Sequence, residues 1–202
     1  MQLKEKTATA QMSYSHRRAI TLILIYFSLS SKRINFMELN WMVIIANGLM
    51  PLLTGFIWYN PKVMGTVWAN ESGLDESKMK EANMALIFGL TALFGVMLSL
   101  MLTAVVIHQT HYFSVFANNP EIKDPASALG KAAQEFMSNY GGNFRTFKHG
   151  AFHGALSGLF LVLPVVGINA LFERRSRRYI LIHTAYWTLT LALMGGVLSA
   201  FA

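Results

Sequence analysis

The chain has no cysteine among its 202 residues, which excludes disulfides, thiolate metal sites and a thiol nucleophile. Charge is also scarce, since 13% of the residues are Asp, Glu, Lys or Arg, against about 25% in a soluble domain. These four residue types are absent from 39–61, 82–120, 149–172 and 179–202. Each window contains an apolar run of about the 20 residues that a helix needs to cross a bilayer. The sequence therefore predicts an integral membrane protein.

The windows predict spanning helices at about 39–59, 83–107, 150–172 and 179–202. We expect an all-α fold, an integral membrane four-helix bundle of two antiparallel hairpins, formed by one transmembrane domain over 37–202. The expected partners are the lipid bilayer and either a second copy of the chain, as a homo-oligomer, or a partner membrane subunit.

The loop between spans two and three predicts a helix of its own. Asp124-Pro125 is a helix start, Leu129, Phe136 and Tyr140 recur at helical spacing, and Gly141-Gly142 is a helix end. We expect a short amphipathic helix over about 125–140, on the membrane surface or over the bundle.

Most of the net charge of +7 lies in a basic leader, residues 1–36, which holds six Lys or Arg against one Glu and leaves +2 for the rest. A nucleic-acid partner of the fold is therefore not expected. The apolar segment 19–29 is about half a span long. It is compatible with a signal-peptide core, with a membrane-surface anchor, or with a non-native or disordered leader ahead of a start at Met37. We favour the last interpretation.

Arginines determine the expected orientation. Arg174, Arg175, Arg177 and Arg178 lie in the short loop between spans three and four. By the positive-inside rule this loop, 172–178, is cytoplasmic, and the 108–147 loop is then outside.

Small residues predict where the helices approach one another. Gly150, Gly154 and Gly158 recur every four residues and form a stripe against which a second backbone can pack. Pro51 removes a helical donor in the middle of span one, so the carbonyl of Asn47 needs another partner.

Two separated motifs carry a family resemblance. The first motif has the pattern W-Y-x-P-x-x-x-G-x-x-W at the end of span one, formed by Trp58, Tyr59, Pro61, Gly65 and Trp68. The second is N-A-L-F-E-R-R, residues 169–175, at the end of span three. Over about 39–107 and 149–202 the chain resembles the bacterial four-span membrane family known as domain of unknown function 1761. The resemblance implies the fold and a multi-pass location in a bacterial inner membrane, without implying an activity.

Histidine provides the sharpest candidate site. His108 and His111 end span two as H-x-x-H, and His149 and His153 open span three as H-x-x-x-H. Residues three or four apart share a helix face, and antiparallel spans bring both pairs to one side of the membrane. Four imidazoles there predict a site for Zn²⁺, Cu²⁺ or a bis-His haem, with Gly150 and Gly154 allowing a flat ring to approach. The competing interpretation is that they are ordinary interfacial histidines.

A second candidate is a polar cluster at the opposite, inner face, formed by Asn169, Glu173 and His183. Polar groups at membrane depth indicate function. The structural alternative is that Glu173 pairs with Arg177, while the arginines contact lipid headgroups.

No pattern typical of nucleophilic or metalloprotease catalysis occurs, and the apolar windows contain no Asp or Glu. We therefore expect a small membrane protein that is not an enzyme, has no cofactor, and binds or passes a small solute or serves as a partner subunit. The alternative is a metal- or haem-binding membrane redox protein that uses the outer-face histidines.

Overall fold

The computed structural model describes residues 38–202, and the basic leader lies outside them. The described residues are mainly helical and contain no strand, which confirms the all-α prediction. They divide into two compact units. Residues 116–141 belong to one, and 38–115 with 142–202 belong to the other, which we call the membrane unit.

The helices follow one another along the chain with short connections. They are α1 (Trp41–Asn47), α2 (Met50–Trp58), a π-helical turn (Pro61–Gly65), α3 (Thr66–Ser72), α4 (Glu76–Glu81), α5 (Met84–Val106), α6 (Gln109–Val115), a 3₁₀ turn (Pro120–Lys123), α7 (Ala128–Tyr140), α8 (Phe147–Ser157), a second π-helical turn (Gly158–Val162), α9 (Leu163–Phe172) and α10 (Arg177–Phe201).

Four helical stretches of the described chain are long and apolar enough to cross a membrane. They are Trp41–Trp58, Met84–Val106, Phe147–Phe172 and Arg177–Phe201. Their bounds lie within three residues of those expected from the charge-free windows. In an 18-residue window of the last stretch 44% of the residues are buried inside the protein, against 11% in such a window of Phe147–Phe172. Helix α10 is therefore the central helix, and the others present apolar side chains outward.

The glycine stripe packs directly on the backbone of α10. A Cβ added at Gly150 would lie 2.0 Å from the carbonyl oxygen of Gly195, and one at Gly154 would lie 2.0 Å from that of Leu191. No side chain fits at that distance, so these positions require glycine. The resulting close approach of two backbones is typical of helix pairs in membranes.

Span one is broken where Pro51 interrupts the hydrogen bonding. Helix α1 ends at Asn47 and α2 begins at Met50. The buried side-chain amide of Asn47 donates to Ser99 Oγ at 3.2 Å and to the carbonyl of Met194 at 3.4 Å. Ser99 Oγ in turn donates to the carbonyl of Ile44 at 2.7 Å. These bonds join α1, α5 and α10 at the break.

Residues 116–141 contain the predicted loop helix, but it begins later than expected. Asp124 Oδ1 accepts from the amide of Ala126 at 2.9 Å, which makes Asp124 part of a turn. Ser127 is the cap instead, and its Oγ accepts from the amide of Gly130 at 2.8 Å. Helix α7 therefore spans Ala128–Tyr140 rather than about 125–140.

Candidate metal site

Three histidines of the membrane unit meet at one end of the bundle. His108 lies two residues beyond the end of α5, and His149 and His153 lie one turn apart near the start of α8. The Nε2 atoms of His108 and His149 are 2.8 Å apart. One ligand nitrogen from each of the three rings lies within 4.8 Å of the other two. We call His108, His149 and His153 the histidine cluster, and their end of the membrane unit the histidine end.

Local sequence places each ring. Thr146 caps α8, and its Oγ1 accepts from the amide of His149 at 3.3 Å. This cap fixes the first turn of the helix, so the next turn brings His153 to the same face. Helix α5 ends at Val106 because Ile107 leaves the helical conformation, with ψ at 90°. His108 therefore stands outside the spanning helix and faces α8.

Three of the four expected histidines converge. The break at Ile107 lies ahead of both His108 and His111, so neither belongs to the spanning helix. The amide of His111 donates to the carbonyl of His108 at 3.1 Å, so the two residues share one turn at the start of α6. Within the described chain, the group of possible ligands contains His108, His149 and His153, while His111 is exposed and lies outside it.

Phe144 packs beside the histidine cluster in a strained backbone conformation. Its ring centroid lies 4.9 Å from that of His149 and 6.4 Å from that of His108. Its φ is 62°, a left-handed value that is uncommon for a residue other than glycine. No sequence pattern indicated this residue, because a left-handed phenylalanine has no local signature.

Contacts with the end of α10 hold Phe144 in place. Ser199 Oγ donates to the carbonyl of Phe144 at 3.1 Å. Arg145 Nε donates to the carbonyl of Ser199 at 3.0 Å, and the same guanidinium also donates to the carbonyl of Ala202. The arginine thus satisfies carbonyls at a helix C-terminus, where positive charge is favourable.

The surroundings of His108 favour its neutral form. Partial burial, together with the neighbouring His153, His149 and His111, lowers the pKa of His108 below its ordinary value. A neutral imidazole has a free nitrogen lone pair, which is the form that binds a metal ion. No carboxylate belongs to the group, so a bound divalent cation would keep most of its charge.

The glycines do not form a place for a haem ring. Gly150 and Gly154 turn toward α10, and its backbone already fills the space above them. The expectation that they let a flat ring approach the histidines is therefore wrong, because the same small residues are used for helix packing.

The predicted inner-face cluster does not form. Asn169 is exposed, and Glu173 pairs with Arg175, at 3.4 Å, rather than with Arg177. The ring of His183 lies against that of Tyr179, tilted by 49° with the centroids 4.3 Å apart, and its buried Nε2 has no hydrogen-bond partner among the described residues. Asn169 and Glu173 are four residues apart, but they lie on the last turn of α9 and its cap, where the side chains point to the surface.

Aromatic residues gather instead at that end of the membrane unit, which we call the arginine end. Tyr59 lies between Trp68, with centroids 4.7 Å apart, and Tyr186, at 4.9 Å. The hydroxyl of Tyr186 donates to the carbonyl of Pro51 at 2.7 Å. A Cβ at Gly65 would lie 2.1 Å from the carbonyl oxygen of Tyr59. The motif residues are therefore packed together.

Pro61 and Trp58 complete the placement of the motif. Pro61 opens the π-helical turn that ends at Gly65, and Asn60 caps it by accepting from the amide of Lys62 at 2.9 Å. The ring of Trp58 lies 6.5 Å from that of Tyr186. The motif at the end of span one thus contacts α10 through Tyr186.

The chain belongs to the family described as "Protein of unknown function (DUF1761)", whose family model matches residues 41–199. The match includes both motifs and the histidine cluster. Neither the curated proteins nor the solved structures include a match to this chain.

Proposed function

We propose that this member of the DUF1761 family is a multi-pass membrane protein that binds a divalent transition-metal ion at His108, His149 and His153. The observation that carries the proposal is the convergence of three ligand nitrogens within 4.8 Å of one another. Two of the three come from one helix and the third from a separate span. Sequence proximity alone therefore does not explain the cluster.

The spacing is close to that of an occupied site. Tetrahedral Zn²⁺ with metal–nitrogen distances of about 2.0–2.1 Å needs ligand nitrogens roughly 3.3 Å apart. The pair His108 and His149 stands at 2.8 Å, and the whole group lies within 4.8 Å. Small rotations of the imidazole rings are enough to bring three nitrogens around one ion.

The ligand set favours Zn²⁺ or Cu²⁺, because imidazole suits both ions and neither needs a carboxylate. Three protein ligands leave a coordination position open, as in catalytic and exchangeable sites rather than closed structural ones. His108 is exposed, so an ion and an additional ligand can reach it from solvent.

Titration of the purified full chain with Zn²⁺ and with Cu²⁺ tests the proposal. We expect one ion per chain, and a loss of affinity of at least about 10-fold when His153 is replaced by alanine, because a ligand is removed. His111→Ala is the matched control and should bind like the parent. Equal binding by both variants, or no stoichiometric binding by the parent, would refute the proposal.

We also propose that the arginine end faces the cytoplasm and the histidine end faces outward, in a bacterial inner membrane. Four arginines lie in one short connection between spans, and the positive-inside rule favours a cytoplasmic position for such a connection. The metal site would then collect its ion from the external side.

Single cysteines test this orientation, because the chain has none of its own. Asn139→Cys and Asn70→Cys are exposed positions in the connections at opposite ends of the spans. A membrane-impermeant maleimide should label Asn139→Cys in intact cells, and Asn70→Cys only after lysis. The reverse pattern would overturn the orientation.

The interpretations based on solute passage and on a partner subunit stay predictions. The geometry of the described residues favours neither of them. A redox role would require a metal that changes valence, so Cu²⁺ binding would support it and exclusive Zn²⁺ binding would oppose it.

A further inference from the structure

We infer that the arginine end carries a binding surface for the phosphate groups of anionic phospholipids, formed by Arg174, Arg177 and Arg178. This inference is independent of the metal site, which lies at the other end of the spans. It rests on three features of the described residues. The arginines form no ion pair with a described residue, two of them lie at a helix N-terminus that is itself partly positive, and aromatic side chains lie at the same end of the spans.

The three arginines are exposed, and no ion pair joins any of them to a described residue. Nearby acids are engaged elsewhere. Glu173 pairs with Arg175, and Glu71 accepts a hydrogen bond from the hydroxyl of Ser176. The guanidinium groups of Arg174, Arg177 and Arg178 are therefore free to bind an external anion, and a guanidinium can bind phosphate through two parallel hydrogen bonds.

Two of these arginines lie where positive charge destabilises a helix. Arg177 and Arg178 form the first turn of α10, which contains no acidic residue. A helix N-terminus carries partial positive charge, so basic residues there are destabilising and an anion is stabilising. The two arginines lower the stability of the helix unless an anion neutralises them.

The surrounding aromatic residues place this surface at the depth of lipid headgroups. Trp58 ends the first candidate span, and Tyr59 follows it against Trp68. Tyr179 lies in the first part of α10, with the guanidinium of Arg175 5.4 Å above its ring. Tryptophan and tyrosine prefer the membrane–water interface, where lipid phosphates also lie. The shared depth favours a lipid phosphate over a free one.

A pair of double variants separates a lipid site from a purely structural role. The first is Arg177→Gln/Arg178→Gln, and the control is Lys123→Gln/Lys131→Gln, which removes the same charge from exposed positions of the other unit. Each full-length protein is placed in phosphatidylcholine vesicles, with or without phosphatidylglycerol, and its thermal unfolding is measured.

We expect phosphatidylglycerol to raise the melting temperature of the parent and of the lysine control by about 5 °C. The arginine variant should lose most of that increase. In phosphatidylcholine alone it should melt at the same temperature as the parent or higher, because an unfavourable interaction with the helix dipole is gone.

Three results would overturn the inference. The first is an equal response of the arginine and lysine variants to phosphatidylglycerol, which would indicate only general attraction to a charged surface. The second is the same stabilisation of the parent by inorganic phosphate in phosphatidylcholine vesicles, which would indicate a site for a free anion. The third is an arginine variant that is less stable than the parent in both lipids and keeps the response to phosphatidylglycerol, which would assign the arginines a structural role.

Discussion

The two ends of the membrane unit use their polar residues in opposite ways. At the histidine end, imidazole rings turn toward one another, and the Nε2 atoms of His108 and His149 are 2.8 Å apart. At the arginine end, the arginines are exposed while aromatic rings pack together, with the ring centroids of Tyr59 and Trp68 4.7 Å apart. An imidazole can be uncharged and so can lie close to another, whereas an arginine stays charged and is kept exposed to solvent.

Both ends depend on α10, but through different kinds of contact. Near the histidine end, α8 meets α10 through bare backbone at Gly150 and Gly154. Toward the arginine end, α2 contacts α10 through hydroxyl groups. The Oγ1 atoms of Thr54 and Thr190 are 2.8 Å apart, and the hydroxyl of Tyr186 donates to the carbonyl of Pro51. Backbone contact tolerates no added atom, while hydrogen-bonded contact tolerates the loss of one bond. The expected effects of mutation differ accordingly.

The largest effect is expected from Gly154→Leu at the histidine end. Even the Cβ would meet the carbonyl of Leu191 at 2.0 Å, so α8 must move away from α10. We expect a loss of about 3 kcal/mol of unfolding free energy, measured by thermal or denaturant unfolding in detergent. Because His153 is the preceding residue, metal affinity should fall as well.

Gly167→Leu is the matched control for that variant, since nothing lies within 4 Å of a Cβ at Gly167. The added side chain should meet lipid or detergent, and the melting temperature should stay close to that of the parent. If Gly154→Leu unfolds like Gly167→Leu, the two helices are not in backbone contact and the comparison fails.

An intermediate effect is expected from Gly65→Ala at the arginine end. The new Cβ would lie 2.1 Å from the carbonyl of Tyr59, in the turn that orders the aromatic group. We expect a loss of about 2 kcal/mol, with changed tryptophan fluorescence from Trp68. Metal binding at the other end should be unaffected.

Gly89→Ala is the control for Gly65→Ala, because we expect it to preserve or raise the stability of the protein rather than lower it. Gly89 lies within α5, and a Cβ there meets nothing within 4 Å. Alanine is the better helix former by about 1 kcal/mol, so this variant should match or exceed the parent in stability. A destabilised Gly89→Ala would show that glycine loss is harmful for reasons other than close contact.

The smallest effect is expected from Tyr186→Phe. It removes one hydrogen bond, to the carbonyl of Pro51, and retains the ring contacts with Tyr59. Hydrogen bonds within membranes contribute about 0.6 kcal/mol on average, and we expect a loss of that size from unfolding measurements. A loss as large as that of Gly154→Leu would mean that the hydroxyl contacts hold the bundle as firmly as the backbone contacts.

The sequence by itself determined the four apolar helices and the helix face at which two backbones come into close contact. Four windows free of charge define the four apolar helices, because an unpaired charge is costly within lipid. The stripe of Gly150, Gly154 and Gly158 indicated a close helix contact, because no other residue leaves the backbone so bare. The cap at Ser127 was missed, since Asp124 has an equally good capping side chain and only the turn that it forms excludes it.

Only the tertiary structure decided which polar residues meet. Helical spacing predicts a shared face when the helix is continuous, and the spanning helix ends at Ile107, ahead of both His108 and His111. Contacts between distant segments also decide three other features. They are the helix that packs on the glycine stripe, the left-handed conformation of Phe144 and the contact between Tyr59 and Tyr186. Local sequence fixes a helix and its faces, but the rotation of one helix against another depends on the packing of all of them together. The packing of distant segments brings His108, His149 and His153 into one group of possible ligands, and His111 lies outside it.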